Sequence, residues 1–374
     1  MINSLDKINL KDKRVILQLD FDESFKSCRQ TIEYLLKHKT SLIIIGSLEK
    51  EMSLMPWIDE LEKITGRSVT FLDQSIFEKS FPDKVKNCLE QNQVVLLENL
   101  VIYPEEERGD SVLAQALSRL ADIYVNEAFG TSYLSYASLT QLPDFLESAG
   151  GFDLLKEKNS IERLNDQAMT VVLGGDRVAD SLRLLLMFLE KSEHILVSGK
   201  IAEAIFRVKG ISPGRDWPDD QIVRLIKKIN LADPKLHLPI DVVTGPKNLD
   251  DSYRRVFAPG EVRKEDDIYD IGPETIRLFK NIINHSKGLI WRGPLGLYAW
   301  PEFSRGTQAI AEAITQKTDL YSVVGGREIV GFLGKLNLLD KFSHVSNGGE
   351  TMMRMAAGQK LPPFESLLSD NLIG

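Results

Sequence analysis

Four short glycine-containing segments in the second half of the chain could hold an anionic ligand. They are Leu173-Gly-Gly-Asp-Arg-Val, Val197-Ser-Gly-Lys-Ile, Val324-Gly-Gly-Arg-Glu-Ile and Ser346-Asn-Gly-Gly-Glu-Thr. Three of them lie where an apolar run should lead into a helix. Glycines there permit a tight turn and a close approach of a ligand, and the free N–H groups of a helix start favour an anion. One glycine pair is more often a structural turn, but several at one sheet edge predict a nucleotide-type site.

The elements around these segments predict an α/β fold. Neither a P-loop nor a dinucleotide-binding fingerprint occurs, so any phosphate cradle is built in another way. Short β-branched runs alternate with longer amphipathic stretches, which is typical of β-α-β units with parallel strands, and such sheets bind ligands at the carboxyl ends of their strands. The predicted strands are Arg14–Leu19, Ser41–Gly46, Gln93–Leu97, Asp122–Asn126, Thr170–Leu173, His194–Ser198, Asp241–Thr244, Gly288–Trp291 and Tyr321–Val324.

Length and composition indicate a globular protein of two domains. A chain of 374 residues exceeds one ordinary core, and 43% hydrophobic with 27% charged residues is usual for a water-soluble protein. No apolar stretch approaches the ~20 residues of a membrane span, and the first residues lack a signal-peptide core, so we expect a cytoplasmic protein. A net charge of -8 argues against nucleic acid as a partner. Cys28 and Cys88 predict neither a disulfide framework nor a metal site.

The domain boundaries follow from the pattern of the chain. We expect an N-terminal domain over 1–151, an interdomain helix over 152–166 and a C-terminal domain that begins at 167. The run Ser181–Lys191 is apolar around most of its turns and predicts a buried helix. Residues 211–220 and 246–267 are polar and rich in Pro, Gly and Asp, which predicts loops, and the acidic run 104–110 predicts a solvated face.

Several motifs resemble the phosphoglycerate kinase family. The run A-D-I-Y-V-N-E-A-F-G-T over 121–131 resembles the family's D-V-Y-V-N-D-A-F-G-T. Similar matches are L-L-E-N-L at 96–100, G-G-D-R-V-A-D at 174–180, D-I-G-P-E-T at 270–275, W-R-G-P-L-G at 291–296 and K-F-S-H-V-S-N-G-G at 341–349. They keep the family's order from Lys13 to Leu367.

The resemblance implies a fold, a reaction and ligands. The fold is two Rossmann-like three-layer domains with parallel sheets, joined by an interdomain helix, in a hinge-bending glycolytic kinase. The family reaction converts ATP and 3-phosphoglycerate to ADP and 1,3-bisphosphoglycerate. The N-terminal domain holds the acid, and the C-terminal domain, over 167–350, holds Mg-ATP or Mg-ADP. The final segment, over 351–374, returns to the N-terminal domain. Domain closure then aligns the substrates for transfer.

Carried over residue by residue, the resemblance also implies a site. Asp20 and Asp22 correspond to acid-binding positions, and Arg177 stands at a family lysine as the one candidate catalytic residue. Glu328 is a candidate magnesium ligand. The residues implied for the nucleotide are Gly174, Gly175, Gly199, Arg292, Gly293, Pro294, Gly325, Gly326 and Glu328.

The residues that should supply positive charge are largely missing from this sequence. On the acid side, the basic positions of the family are occupied by Ser24, Ser47, Val101, Tyr133, Leu134 and Tyr136, and Asp22 replaces an amide. On the nucleotide side, Ser181, Ala299 and Ile329 replace a lysine, a glutamate and a hydroxyl residue. Removing one charge-stabilising group typically costs ~10²- to 10³-fold in rate. The sequence therefore predicts an inactive or severely impaired copy.

Two hypotheses follow. The first is a phosphoglycerate kinase-like protein that has lost its turnover and serves in binding, regulation or assembly. It predicts weak or absent binding of 3-phosphoglycerate, leaves binding of adenine nucleotide open, and fits a monomer. The alternative is an active phosphoglycerate kinase, or a kinase for a different carboxylate acceptor. Its relocated charges would come from Lys26, Arg29, Lys50, Arg177, Lys200, Arg292 and Arg327.

Overall fold

The chain divides into two compact units in the computed structural model, which describes residues 2–21, 25–91, 94–212, 218–246 and 253–368. Unit 1 comprises residues 1–159 together with 359–374, and unit 2 comprises residues 160–358. Asp22 and Ser24 lie outside the described residues, so the acid-binding role predicted for Asp22 stays a sequence-based prediction.

Unit 1 is built on one six-stranded parallel sheet with the order β3-β4-β2-β1-β5-β6. Its strands are β1 (Arg14–Leu19), β2 (Ser41–Gly46), β3 (Val69–Leu72), β4 (Val94–Leu97), β5 (Ile123–Asn126) and β6 (Glu147–Gly150). Its helices are α1 (Arg29–Lys37), α2 (Ile58–Thr65), α3 (Phe81–Glu90), α4 (Pro104–Arg108), α5 (Ser111–Ser118), α6 (Ala137–Thr140), the first part of α7 (Phe152–Asn165) and, near the C-terminus, α15 (Pro362–Ser366).

The central strands of unit 1 are apolar on both faces, as a covered parallel sheet requires. On β1, Val15 and Leu17 pack into one core with Ile32 and Leu35 of α1, while Ile16 faces the other side and is equally buried. Cys28 is buried and Cys88 is half-buried, and both are unpaired, as predicted.

Unit 2 contains a six-stranded parallel sheet with the order β15-β14-β13-β7-β8-β9 and a small sheet with the order β11-β10-β12. The strands are β7 (Met169–Leu173), β8 (His194–Val197), β9 (Leu236–His237), β10 (Val242–Pro246), β11 (Arg255–Phe257), β12 (Asp266–Ile271), β13 (Gly288–Arg292), β14 (Tyr321–Gly325) and β15 (His344–Ser346). The helices are α8 (Val178–Lys191), α9 (Gly199–Val208), α10 (Asp220–Lys227), α11 (Pro273–His285), α12 (Arg305–Gln316), α13 (Arg327–Lys335) and α14 (Gly349–Ala356).

The small sheet corrects two sequence-based expectations. The strand predicted at Asp241–Thr244 is β10, but it pairs antiparallel with β11 and β12 and does not join the parallel sheet. The stretch 246–267 is not only loop, because β11 and the start of β12 lie within it. Both strands carry charged residues, and antiparallel strands with a solvated face are polar on alternate positions, so their sequence reads as loop.

The fold brings the glycine-containing segments to one edge of the parallel sheet of unit 2. Leu173 of β7 pairs in register with Val197 of β8 and with Arg292 of β13, and Arg292 pairs with Gly325 of β14. Four strands therefore end at the same level, and the segment after each begins a turn or a helix. Among the described residues, no helix has the length and apolarity needed to cross a membrane.

Candidate functional site

Two turns at this edge of unit 2 are in direct backbone contact. The N–H of Gly174 donates to the carbonyl of Arg292 at 2.9 Å, and the N–H of Gly175 donates to the carbonyl of Pro294 at 2.8 Å. A Cβ on Gly293, whose φ is +79°, would lie 2.4 Å from the carbonyl oxygen of Gly174. No side chain fits between these turns, so the glycines after β7 and β13 are required by the packing itself.

A cavity of about 180 Å³ opens beside these turns. Of the residues predicted from the sequence, Gly175, Gly199, Pro294 and Glu328 line it. Gly199 has a φ of +62°, and a Cβ there would approach the carbonyl oxygen of Gly175 at 2.9 Å. Most of the remaining wall is apolar, which is typical of a cavity that takes an organic ligand; its other residues include Ala202, Phe206, Pro239, Val242, Ile268, Ile271, Leu295 and Leu297.

The other predicted residues lie near the cavity without lining it. Gly174 and Gly293 form the two turns beneath it, and Gly325 ends β14. Gly326 precedes α13 with a φ of +109°. Arg177 precedes α8, is exposed, and its carbonyl accepts the N–H of Ser181 at 3.0 Å.

Arg292 is drawn into an ion-pair cluster with a glutamate of α14. Its side chain is at the end of β13 with the residue only 9% exposed, and Nη1 lies 3.0 Å from Oε2 of Glu350. Oε1 of the same carboxylate accepts from Nε of Arg354 at 2.7 Å. Arg292, which the sequence predicts as a nucleotide-binding residue, is therefore paired with a carboxylate of the protein itself.

Two carboxylates, those of Glu328 and Asp176, line the cavity. Glu328 lies in the first turn of α13, and its pKa is raised first by burial and then by the charge of Asp176, while Arg177 lowers it. Mutual repulsion of two carboxylates is relieved by a divalent cation, and Mg²⁺ is usually held by one or two carboxylates plus ligand phosphates. Among the described residues no cluster of three or more metal-ligating side chains occurs, so the ion would depend on the nucleotide.

The polar end of the cavity holds a cluster that sequence reasoning missed as a site. Glu203 is only 5% exposed and lines the cavity. Its Oε2 accepts from Nζ of Lys200 at 2.8 Å, and its Oε1 accepts from the guanidinium of Arg207. The sequence does show that Glu203 follows Lys200 by three residues and precedes Arg207 by four, which is the spacing of helical ion pairs. Such spacing usually indicates an exposed helix face.

In unit 1, Asp20 follows β1 and holds the turn after β5. Its carboxylate accepts from the N–H of Gly130 and from both the N–H and the hydroxyl of Thr131, the latter at 2.7 Å. Backbone bonds of this kind fix the carboxylate in place. In the described structure Asp20 therefore accepts hydrogen bonds that stabilise the turn at Gly130 and Thr131.

A buried carboxylate lies close to this edge of unit 1 and corrects the prediction of a solvated acidic face. Glu106 is fully buried, and burial raises its pKa. It accepts from the hydroxyl of Ser47 at 2.8 Å and from the N–H and hydroxyl of Ser138 at 2.9 and 2.6 Å. These three donors compensate the loss of water, which is why one glutamate of an acidic run can be inside.

The comparisons with known proteins cover nearly the whole chain. The family profile described as phosphoglycerate kinase matches residues 5–359. The chain belongs to the phosphoglycerate kinase family. The phosphoglycerate kinase of Thermosipho africanus is 30% identical, with 98% of both chains covered, and that of Thermomicrobium roseum is 28% identical over 97% of this chain and 98% of the relative.

Solved phosphoglycerate kinases have the same fold. The structure from Coxiella burnetii superposes with a TM-score of 0.80 at 25% identity, covering 98% of this chain and 99% of that one. The structure from Pyrococcus horikoshii superposes with a TM-score of 0.81 at 23% identity, covering 97% and 98%. The two α/β units with parallel sheets confirm the predicted fold class.

Four of the positions at which this chain departs from the phosphoglycerate kinase motifs are buried. In unit 1, Val101 is buried with 4% of its surface exposed, and the Ser47 hydroxyl donates a hydrogen bond to Glu106. In unit 2, Ser181 and Ile329 are both buried, and Ile329 packs in the main hydrophobic core. These four side chains therefore contribute to the local packing.

Proposed function

We propose that this member of the phosphoglycerate kinase family binds a magnesium nucleotide on unit 2 and has lost most or all of its phosphotransferase turnover. The proposal rests above all on one observation, which is the replacement of a basic residue at the edge of unit 1 where the family binds the acid. There Ser47 stands at the family's histidine, and its hydroxyl donates a hydrogen bond to the buried carboxylate of Glu106. The neutral hydroxyl of Ser47 therefore stands where the family has a histidine that would contact an anionic substrate, and this hydroxyl is already hydrogen-bonded to a carboxylate.

Two of the cations proposed to have relocated are paired with carboxylates, which supports the same proposal. Arg29 pairs with Glu33 on its own helix at 3.5 Å, and Arg292 pairs with Glu350 at 3.0 Å. Phosphoryl transfer depends on positive charge aimed at the migrating group. A cation already held by a carboxylate offers less of its field to a substrate.

The nucleotide side keeps more of what binding needs. The cavity is lined by Gly175, Gly199 and Pro294, and Glu328 with Asp176 could hold magnesium beside bound phosphates. Glycines at strand ends allow the backbone to approach phosphates closely. These features support binding of a nucleotide without requiring catalysis.

The test measures binding and turnover on the full chain. Mg-ADP should raise the melting temperature in proportion to occupancy, 3-phosphoglycerate should not, and a coupled assay should show no turnover. Gly199→Ala should abolish the Mg-ADP effect, because a Cβ there would lie 2.9 Å from Gly175. Gly210→Ala is the matched control, since Gly210 also has a positive φ of +71° but open space around it.

The alternative function is an active phosphoglycerate kinase, or a kinase for another carboxylate acceptor that uses relocated Arg and Lys. It is favoured by the naming of full-length relatives at 28–30% identity as phosphoglycerate kinases. Lys50, Arg177 and Arg327 are exposed and could serve it. A rate within a hundredfold of ordinary kinases, which turn over at ~1–100 s⁻¹, would establish this alternative and refute the first proposal.

A further inference from the structure

The cavity of unit 2 has a charged end that an apolar base pocket does not need. Glu203 of α9 lines the cavity, and Nζ of Lys200, which also lines it, donates to its Oε2 at 2.8 Å. Arg207 holds Oε1 from one turn further along the helix. The carboxylate is therefore oriented from both sides, and its residue is only 5% exposed.

The walls around Glu203 suit a flat heteroaromatic ring. Phe206, Val242 and Ile268 line the same cavity, as does Tyr269, whose pKa is raised first by burial and further by nearby carboxylates that include Glu203. Gly175 lines the same cavity where the turn after β7 leaves the sheet. A nucleotide with its phosphates at the strand ends would direct its base toward the apolar walls and the carboxylate.

The acceptors that remain on Glu203 distinguish between purines. A carboxylate offers about four lone-pair sites, and Lys200 and Arg207 use one on each oxygen. One further acceptor remains on each oxygen, so the group can accept two adjacent donors. Guanine presents two adjacent donors, N1–H and the exocyclic amino group. Adenine presents one amino donor beside the N1 acceptor, and that acceptor would face the carboxylate. Lys200 has further N–H groups available for the guanine O6.

We propose that the Lys200–Glu203–Arg207 cluster makes this a guanine-selective site, so that the nucleotide partner is a guanosine diphosphate or triphosphate with magnesium. The inference rests on the nucleotide site proposed above and specifies its base. Glu203 acts as the specificity-determining residue, and Lys200 and Arg207 position its carboxylate. Paired hydrogen bonds of this kind discriminate between bases by roughly 5- to 150-fold.

Calorimetric titration of the full chain with Mg-GDP, Mg-ADP and Mg-IDP tests the inference. Mg-GDP should bind at least about tenfold more tightly than Mg-ADP. Mg-IDP, whose base keeps N1–H but lacks the amino group, should fall between them. Equal or tighter binding of Mg-ADP overturns the base assignment while leaving the nucleotide site intact. Absence of binding by all three nucleotides refutes the nucleotide site itself, and with it this inference.

A variant pair separates selectivity from affinity. Glu203→Gln replaces one acceptor with a donor and should bring the ratio of the two dissociation constants close to one. Glu193→Gln, at an exposed glutamate before β8, should leave the ratio as in the parent chain. An unchanged ratio in Glu203→Gln overturns the assignment of that residue. If Glu203→Gln does not fold, the comparison of Mg-GDP with Mg-IDP on the parent chain still decides whether the site recognises the amino group of guanine.

Discussion

Replacing Thr31 by valine tests how the first turn of α7 is held in unit 1. The Thr31 hydroxyl donates to Oε1 of Glu127 and accepts the N–H of Phe152 at 2.9 Å. Glu127 in turn accepts the N–H groups of Asp153 and Leu154, each at 3.1 Å. Together the two side chains take up three of the N–H groups that a helix start leaves without a helical partner.

The magnitude follows from the bonds that valine cannot make. A hydrogen bond to a charged group contributes roughly 1.5–3 kcal/mol, and a buried N–H left without its acceptor costs about 1–3 kcal/mol. We expect a loss near 3 kcal/mol. Burial raises the pKa of Glu127 to about 7, so the carboxylate is mostly ionised at pH 8 and mostly protonated at pH 6. Because the ionised acceptor bonds more strongly, Thr31→Val should cost more at pH 8 than at pH 6.

Hydrogen exchange of peptides that contain Asp153 and Leu154 measures this loss locally. A loss near 3 kcal/mol should speed exchange by roughly a hundredfold at pH 8 after correction for intrinsic rates. Thr40→Val is the matched control, since its buried hydroxyl donates to the Leu35 carbonyl at 3.0 Å and should contribute about 1 kcal/mol. Acceleration below threefold, or an equal effect at both pH values, would show that Glu127 and Thr31 do not hold the helix.

Three further predictions concern unit 2. Burial raises the pKa of Asp270 to about 7. Its contribution to the free energy of unfolding is therefore present below about pH 4 and is lost as the pH rises through 7. Asp270→Asn should remove this dependence of the unfolding free energy on pH, as measured by denaturant titrations. Burial and the neighbouring His194 lower the pKa of His237, so stability should fall as the pH drops below about 6.5, and His237→Gln should flatten that decline in melting temperature. Glu350→Gln breaks the pairs with two arginines and should cost roughly 3–5 kcal/mol, while sulfate should raise its melting temperature more than that of the parent.

The parallel sheets were predictable because their strands are continuous apolar runs. The bounds of β1 and β2 agree residue for residue with the prediction, and those of β5, β7 and β13 agree within one residue. The strand β6 was missed because its sequence, E-S-A-G, carries no β-branched residue. The strand β9 has two residues, which is too short for any periodicity.

The site was predictable where glycine is required by geometry and not where charge is redirected by a neighbour. Gly175 and Gly199 were found from sequence because only glycine permits the close turns. Glu203 and Glu350 were not, because a glutamate at helical spacing from a basic residue is usually a solvated pair. Only the three-dimensional structure shows that Glu203 is buried and that each of the two carboxylates pairs with two cations.

The pairing of the relocated cations bears directly on what the chain can catalyse. Counted from the sequence, Lys200 and Arg292 add two positive charges near the proposed nucleotide site and would compensate for part of the lost charge. In the fold each of the two shares a carboxylate with a second cation: Glu203 pairs with Lys200 and Arg207, and Glu350 pairs with Arg292 and Arg354. To act on a migrating phosphoryl group, Lys200 or Arg292 would have to give up its ion pair, which reduces the net stabilisation of the transition state. A ligand that donates hydrogen bonds to Glu203 leaves both of its ion pairs in place, so these clusters favour recognition over transfer.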